Sequence, residues 1–290
     1  MKKKKPYLSN TQLDMIERCP AQYERRYVNG EKIPPGITGT TGIATHGAAA
    51  SEMTEKVETK QLPPIEKVRD TARDEFAKAY ERGVLWQPDE IEEGIKKVKG
   101  RELDRTVALA SAYHDLYAPK FNPVPGRIEW KWRLETDLSH DLLGVIDLET
   151  EDVRVDDEKK SVWRVVRDLK TSKRTPPQSK ADSSSQLTMY ALAHQAHDGK
   201  LPDAVALDYL VPLKKGVQAT TLESFRTEEH IEVLWSRIDQ ALRVIKAGLF
   251  SPAPSDHPLC NEKFCGYAKT CPFFYGRIQT QVPKEVTFDD

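Results

Sequence analysis

Cysteine is scarce in this chain of 290 residues, which contains four. Cys19 lies near the beginning, whereas Cys260, Cys265 and Cys271 lie close together much later in the sequence. No two of them form the Cys-x-x-Cys pair that is typical of zinc sites, which disfavours zinc. A disulfide framework is also disfavoured, because chains of this size bury enough apolar surface without crosslinks. Four unrelated buried thiols are the simplest alternative to a shared metal site.

Long apolar stretches are also missing. No stretch reaches the roughly 18 residues that a membrane-spanning helix needs. The basic residues 1–5 are followed by the polar residues 6–10, not by the apolar segment of a signal peptide. Because 38% of the residues are hydrophobic and 31% are charged, the composition is that of a globular protein. We therefore expect a cytoplasmic protein that does not enter a membrane.

The chain has no large excess of charge of one sign, since its net charge is −1. Binding to nucleic acid would therefore depend on a local basic patch. Residues 163–180 contain six basic residues against one acid, and within them we predict Lys173 and Arg174 to contact DNA. An ordinary solvated surface is the alternative for this segment.

Hydrophobic periodicity predicts a helical first part and a mixed second part. Apolar residues at helical spacing predict helices at residues 8–27, 43–58, 65–80 and 89–117. His46 falls in the first turn of the second of these helices, and Cys19 falls on or at the end of the first. Residues 29–42, which are rich in glycine and proline, are expected to form a loop.

The pattern changes to alternation after residue 120. Residues 127–135 alternate apolar and charged side chains, as a half-buried strand does. Strands at 142–148 and 162–169 are joined by a polar turn at 156–160. A helix at 184–197, a strand at 205–211 and a helix at 228–249 follow. We predict one α/β domain over residues 1–290, with a helical part (1–120), an α/β core (121–250) and a cysteine tail (251–290).

Two of these strands carry the residues with the most distinctive chemistry. Asp168 and Lys170 lie two residues apart, so their side chains share one face of a strand. Asp147 ends an otherwise apolar run on the preceding strand, where an unpaired acid would be costly. Two carboxylates with a nearby imidazole, for which His46 is the candidate, form a site suited to Mg²⁺ or Mn²⁺.

Such a site can hydrolyse a phosphodiester, because a bound metal activates water and offsets the charge that builds on the phosphate. Lys170 could position the water or stabilise that charge. Gln186 and Tyr190 share one helical face and could contact the DNA backbone. Singly these signals are weak, since a surface ion pair between Asp168 and Lys170 is a common alternative.

The order of these residues, framed by the cysteines, resembles the RecB-like branch of the PD-(D/E)xK nucleases, in particular its iron-sulfur members such as AddB-type nucleases and CRISPR-associated exonucleases. The resemblance implies a restriction-endonuclease-like mixed β-sheet flanked by helices. It implies that His46, Asp147, Asp168 and the Leu169 carbonyl bind metal and that Lys170 is catalytic. Gln186 and Tyr190 match the QxxxY motif of the branch.

By the same resemblance, Cys19 joins the three later cysteines around a 4Fe-4S cluster, a clasp between the two segments. Many members of the branch place two residues between the first two of these later cysteines, whereas four separate Cys260 from Cys265 here. The expected activity is a metal-dependent DNase, an exonuclease on single-stranded DNA or DNA ends in recombination, repair or phage DNA processing.

Two further functions remain as alternatives. A catalytically silent DNA-binding subunit of a larger complex would keep the fold without the reaction. A restriction-type endonuclease would need a sequence-reading element, and the chain has no helix-turn-helix or zinc-finger signature. The sequence also has no P-loop motif, so any unwinding would need a helicase or recombination partner protein.

Overall fold

The computed structural model describes residues 5–156, 159–254 and 256–274. It shows a mixed α/β fold in which helices flank a six-stranded sheet. The sheet contains both parallel and antiparallel neighbours. The predicted fold class, a restriction-endonuclease-like mixed sheet flanked by helices, is confirmed.

The elements follow one another from a mainly helical first part to a mixed second part. Their order is β1 (Tyr7–Leu8), α1 (Asn10–Arg18), α2 (Pro20–Tyr23), α3 (Ile37–Thr59), α4 (Ile65–Glu81), α5 (Pro88–Glu93), α6 (Ile95–Leu116), β2 (Pro123–Leu134), β3 (Asp141–Asp156), β4 (Lys159–Thr171), α7 (Ser179–Asp182), α8 (Ser185–Asp198), β5 (Ala204–Pro212), β6 (Val217–Ser224) and α9 (Glu228–Ala247). None of the described helices is long and apolar enough to cross a membrane.

β3 organises the sheet because three strands pair with it. β2 runs antiparallel along one side. On the other side β1 pairs with its first two residues and β4 with its second half, from Leu148 onward. Between them, residues 143–147 have no partner strand on this side in the described part of the chain. The sheet continues from β4 through the parallel strand β5 to the antiparallel edge strand β6.

Apolar side chains fill both faces of the sheet. One cluster joins α1, α8 and α9 to the strands and includes Leu13, Leu187 and Leu234. The other joins α3 and α6 to the opposite face through Met53 and Leu109. Burial of such side chains is worth about 1.5–3 kcal/mol each. The sheet and its two helical layers are therefore one packed unit that holds the strand ends in place.

Several predicted boundaries are wrong. α3 begins at Ile37, inside the predicted loop, so His46 lies in the third turn of the helix and not in the first. Thr40, Thr41 and Thr45 bond the carbonyls four residues earlier, which fits this polar run to a helix. The predicted helix 89–117 is interrupted at Gly94, whose φ of +103° a side chain would strain.

Two more differences concern the ends of the chain and the sheet. The predicted first helix divides at Cys19, which is extended (φ −158°) and lies between α1 and α2. β6 was not predicted, because its mixed polar sequence does not alternate as a half-buried strand should. Part of the predicted turn 156–160 and of the cysteine tail, residues 157–158, 255 and 275–290, lies outside the described residues.

A buried acid of α3 contacts α6. Glu52 is 2% exposed, and its Oε1 lies 2.6 Å from Nδ1 of His114. Burial raises the pKa of Glu52 to about 7, although His114 opposes the rise. The fold therefore favours the protonated form of this side chain.

Glu52→Gln should flatten the pH dependence of stability. Because the pKa is raised on folding, the favourable contribution of Glu52 is complete below about pH 4.5, and it is lost as the pH rises to about 7. Over this window the wild type should lose on the order of 3 kcal/mol relative to the variant. Urea unfolding between pH 4.5 and 8 measures this, with Glu58→Gln on the exposed face of α3 as the control. Parallel pH profiles of the wild type and Glu52→Gln would contradict the prediction.

Candidate active site

Asp147 lies in the part of β3, residues 143–147, that pairs with neither β1 nor β4. Its Oδ2 accepts a hydrogen bond from the Leu169 amide at 2.9 Å and lies 3.1 Å from Nδ1 of His46. His46 comes from α3, which packs on β2, β3 and β4. The structure thus brings the predicted His46 and Asp147 into contact. The observed contact of Leu169 uses its amide, and metal binding by its carbonyl stays a prediction.

Asp168 and Lys170 form a pair on β4. Nζ of Lys170 lies 2.6 Å from Oδ2 of Asp168, which is 1% exposed. The pairing of β3 with β4 ends at Leu148 and Arg167, so the same register places Asp168 beside Asp147. The two predicted acids therefore occupy neighbouring strand positions, with the ammonium next to them.

Two side chains of α8 continue from Lys170 in a series of hydrogen bonds. Nζ of Lys170 donates to Oε1 of Gln186 at 3.0 Å, and Nε2 of Gln186 donates to the hydroxyl oxygen of Tyr190 at 2.7 Å. Ser184 caps the helix by accepting a bond from the Leu187 amide, which sets where Gln186 stands. Tyr190 is 5% exposed. In the described structure Gln186 and Tyr190 together orient Lys170, and their contact with DNA stays a prediction.

Burial and neighbouring charges together shift the pKa values of these groups. Burial raises the pKa of Asp168 to about 6, the charge of Asp147 adds to this, and Lys170 opposes it. For Lys170, burial lowers the pKa, but the Asp168 carboxylate outweighs burial and the pKa is raised. For His46, burial is likewise outweighed by its bond to Asp147, and the pKa is raised. Lys170 is therefore a cation at neutral pH, suited to a negatively charged partner.

Glu129 is a site residue that sequence reasoning missed. The β2–β3 register pairs Ile128 with Leu148 and Trp130 with Ile146, which places Glu129 opposite Asp147. Ligand atoms of His46, Glu129 and Asp147 all lie within 4.8 Å of one another. Burial and then the charge of Asp147 raise the pKa of Glu129. The only signal in the sequence was its position in an alternating strand.

A second group of potential ligands has a structural explanation. Glu149, His194 and Asp198 also bring ligand atoms together, on the face of the sheet that α8 covers. Arg164 lies 2.9 Å from Glu149, and Arg127 lies 2.7 Å from Asp198. Because guanidinium groups already neutralise these acids, the cluster is an ion-pair network that fastens α8 to the sheet.

The predicted basic patch at residues 163–180 is smaller than expected. Arg164 pairs with Glu149 and Glu151, and Arg167 is 5% exposed and pairs with Asp208 at 3.2 Å. In the described structure acidic partners engage these two arginines, which reduces the basic charge that this segment can offer to DNA. Lys173 and Arg174 are exposed in the loop that follows β4, and their DNA contact stays a prediction.

The four cysteines lie around one cavity of about 190 Å³. Cys19 comes from the junction of α1 and α2, and the others come from the described part of the tail. The amide of Ala253 donates to Sγ of Cys19 at 3.4 Å, and Tyr267 donates to the Glu31 carbonyl at 2.5 Å. The tail is thus held to the first part of the chain beside the cysteines, which form no disulfide with one another.

Comparison with known proteins identifies the family of the chain. A model of the PD-(D/E)XK nuclease superfamily matches residues 7–272. The chain belongs to this superfamily. Among solved structures, it is similar to the crystal structure of SSO0001, with 13% identity, a TM-score of 0.34, and coverage of 91% of this chain and 95% of that one. No curated protein matches it.

Nucleases of this superfamily use divalent metal ions, and the donor set fits such an ion. Carboxylates and an imidazole are ligands for Mg²⁺ or Mn²⁺. The acids Glu129, Asp147 and Asp168 outnumber the single ammonium of Lys170, so the site has negative charge that a cation would offset. The predicted ligands His46 and Asp147 lie within reach of one ion, and metal binding by Asp168 stays a prediction.

Gly144→Ala should destabilise the protein and displace the site. A Cβ at this position would lie 2.6 Å from the ring of Trp132, which is 6% exposed and cannot rotate freely. Overpacking of this kind costs roughly 1–3 kcal/mol. Gly100→Ala is the matched control, since nothing lies within 4 Å of its added Cβ and the helix should gain up to about 1 kcal/mol. Thermal unfolding of both variants measures this, and equal melting temperatures would contradict it.

Proposed function

We propose that the protein is a RecB-like deoxyribonuclease that removes nucleotides from single-stranded DNA or DNA ends. The observation that carries the proposal is the contact of His46 with Asp147 beside the Asp168–Lys170 pair, in a chain of the nuclease superfamily. The proposed context is recombination, repair or phage DNA processing, with a helicase or recombination protein as partner.

The proposed mechanism assigns each side chain a task. His46, Asp147 and Asp168 would hold Mg²⁺ or Mn²⁺, with the Leu169 carbonyl as a further ligand. When bound, the ion lowers the pKa of a coordinated water and offsets charge on the phosphate. Asp168 and Gln186 hold the Lys170 ammonium so that it can donate to a phosphate oxygen or to the attacking water.

The hydrogen bond from Gln186 to Tyr190 also helps to position Lys170. Because the Tyr190 hydroxyl accepts from the Gln186 amide nitrogen, the amide oxygen is turned toward Lys170. The ammonium is thereby held in one place before substrate arrives, which lowers the cost of orientation. Lys173 and Arg174, which are exposed just after β4, would bind backbone phosphates without reading sequence.

Cleavage of end-labelled DNA with Mn²⁺ tests the proposal. Asp168→Asn and Lys170→Met should each reduce the rate about 10²–10³-fold, because the first weakens binding of the ion and the second removes a positive charge that stabilises the reacting phosphate. Lys200→Met, which changes an exposed lysine outside the basic segment 163–180, is the control and should retain activity.

The form of the DNA decides between the alternatives. The proposed exonuclease degrades linear DNA or single strands and leaves closed circles intact. Cleavage of circles would indicate an endonuclease. DNA binding with no cleavage of any form would indicate a silent subunit and would contradict the proposal.

We further propose that the four cysteines hold a 4Fe-4S cluster. Thiolates from four positions are the ligands of such a cluster. All four cysteines line one cavity of about 190 Å³, so a single cluster could be shared by the four. The cluster would join Cys19 to the tail.

Protein purified without oxygen should be brown, with four iron atoms and four sulfides per chain as the cluster requires. Its broad absorbance near about 400 nm comes from iron-thiolate bonds. Cys19→Ser should lose this colour and melt at a lower temperature, since one ligand and the link to α1 are removed. The control is Ser51→Ala on the exposed face of α3. A colourless preparation with one zinc ion per chain would refute the assignment.

A further inference from the structure

The proposed nuclease mechanism leaves one acid of the site without a task. Glu129 lies on β2 directly opposite Asp147 on β3. Like charges at opposite positions of neighbouring strands repel each other. Glu129 forms no ion pair within the described residues, and its side chain reaches solvent although neighbouring groups partly desolvate its carboxylate. Glu129 therefore adds negative charge beside Asp147, which His46 and Lys131 offset only in part, since the pKa of Glu129 is still raised.

The backbone turns Glu129 away from ordinary strand geometry. Its φ is +45°, although the residues on either side keep their partners in β3. A side chain in this left-handed region is strained, and such strain persists where the surrounding structure imposes it. The turned residue points its carboxylate to the groove of about 450 Å³ that Gly42, His46 and Asp147 also line.

The distances fit one ion. Oxygen and nitrogen ligands lie roughly 2.0–2.2 Å from Mg²⁺ or a similar ion, so opposite ligands are roughly 4.0–4.4 Å apart. The ligand atoms of His46, Glu129 and Asp147 lie within 4.8 Å of one another without any rearrangement. Small side-chain rotations would therefore bring all three to a common ion.

We propose that Glu129 is a metal-binding side chain of this centre and shares the ion of His46 and Asp147. The inference rests on the proposed nuclease function and adds a ligand to it. A set of one imidazole and several carboxylates binds Mn²⁺ more tightly than Mg²⁺, because nitrogen ligands favour transition metals. The groove beside these residues is open to water and would admit a substrate phosphate.

Titration of the full chain with Mn²⁺ in the absence of DNA tests the inference directly. Free Mn²⁺ is measured by its electron paramagnetic resonance signal. Glu129→Gln removes the charge at constant shape, and Glu129→Gly also relieves the strained φ. Both should bind Mn²⁺ at least about tenfold more weakly than the wild type. Glu135→Gln, an exposed acid just after β2, is the matched control and should bind normally.

Melting temperatures separate metal binding from a structural role. Without metal, Glu129→Gln and Glu129→Gly should melt at or above the wild-type temperature, because repulsion from Asp147 is removed. With Mn²⁺, the wild type should gain stability by mass action, and the two variants should gain less. A structural role for Glu129 predicts the opposite result, a lower melting temperature without metal, and this outcome would overturn the inference.

Asp147→Asn distinguishes this inference from the function on which it rests. If Asp147→Asn loses Mn²⁺ while both Glu129 variants bind it as the wild type does, the role of Glu129 is overturned and the nuclease proposal stands. If the wild type neither binds Mn²⁺ nor cleaves DNA, both proposals are overturned.

Discussion

Repulsion between neighbouring carboxylates is the constraint on which the rest of the site depends. Glu129, Asp147 and Asp168 come from three adjacent strands and meet where the β3–β4 ladder stops. The missing ladder bond is replaced in part by the side chain of Asp147, which accepts the Leu169 amide. The break in the ladder therefore also keeps Asp147 in position. A cation between them would convert a destabilising arrangement into a stable one.

Helices on the two faces of the sheet serve this site in different ways. α3 brings an imidazole, and α8 brings an amide and a phenol that orient the ammonium of Lys170. Arg226 fixes the beginning of α8, because its buried guanidinium donates to Thr188 Oγ1 at 2.8 Å and to the Ala181 carbonyl at 2.7 Å. The positions of the α8 side chains in the site thus depend on buried contacts of Arg226 outside the site.

Some parts of this arrangement could be predicted from sequence and others could not. The pair Asp168 and Lys170 follows from the two-residue period of a strand, and the Gln186 and Tyr190 pair follows from helical spacing. Glu129 could not be found in this way, because its position beside Asp147 depends on strand register and on the positive φ of its own backbone. Burial of Arg167 likewise depends on distant partners, since a local count of charges does not show them.

The positions of the four cysteines have a consequence for biosynthesis. Cys19 emerges from the ribosome before most of the sheet, and the other three cysteines around the cavity emerge only after the whole sheet has been made. Domains begin to fold during translation, so the strands can assemble first. Loading of the proposed cluster at the cysteines would then be a late maturation step, and a chain terminated prematurely before Cys260 would keep the strands of the candidate site but never complete that step.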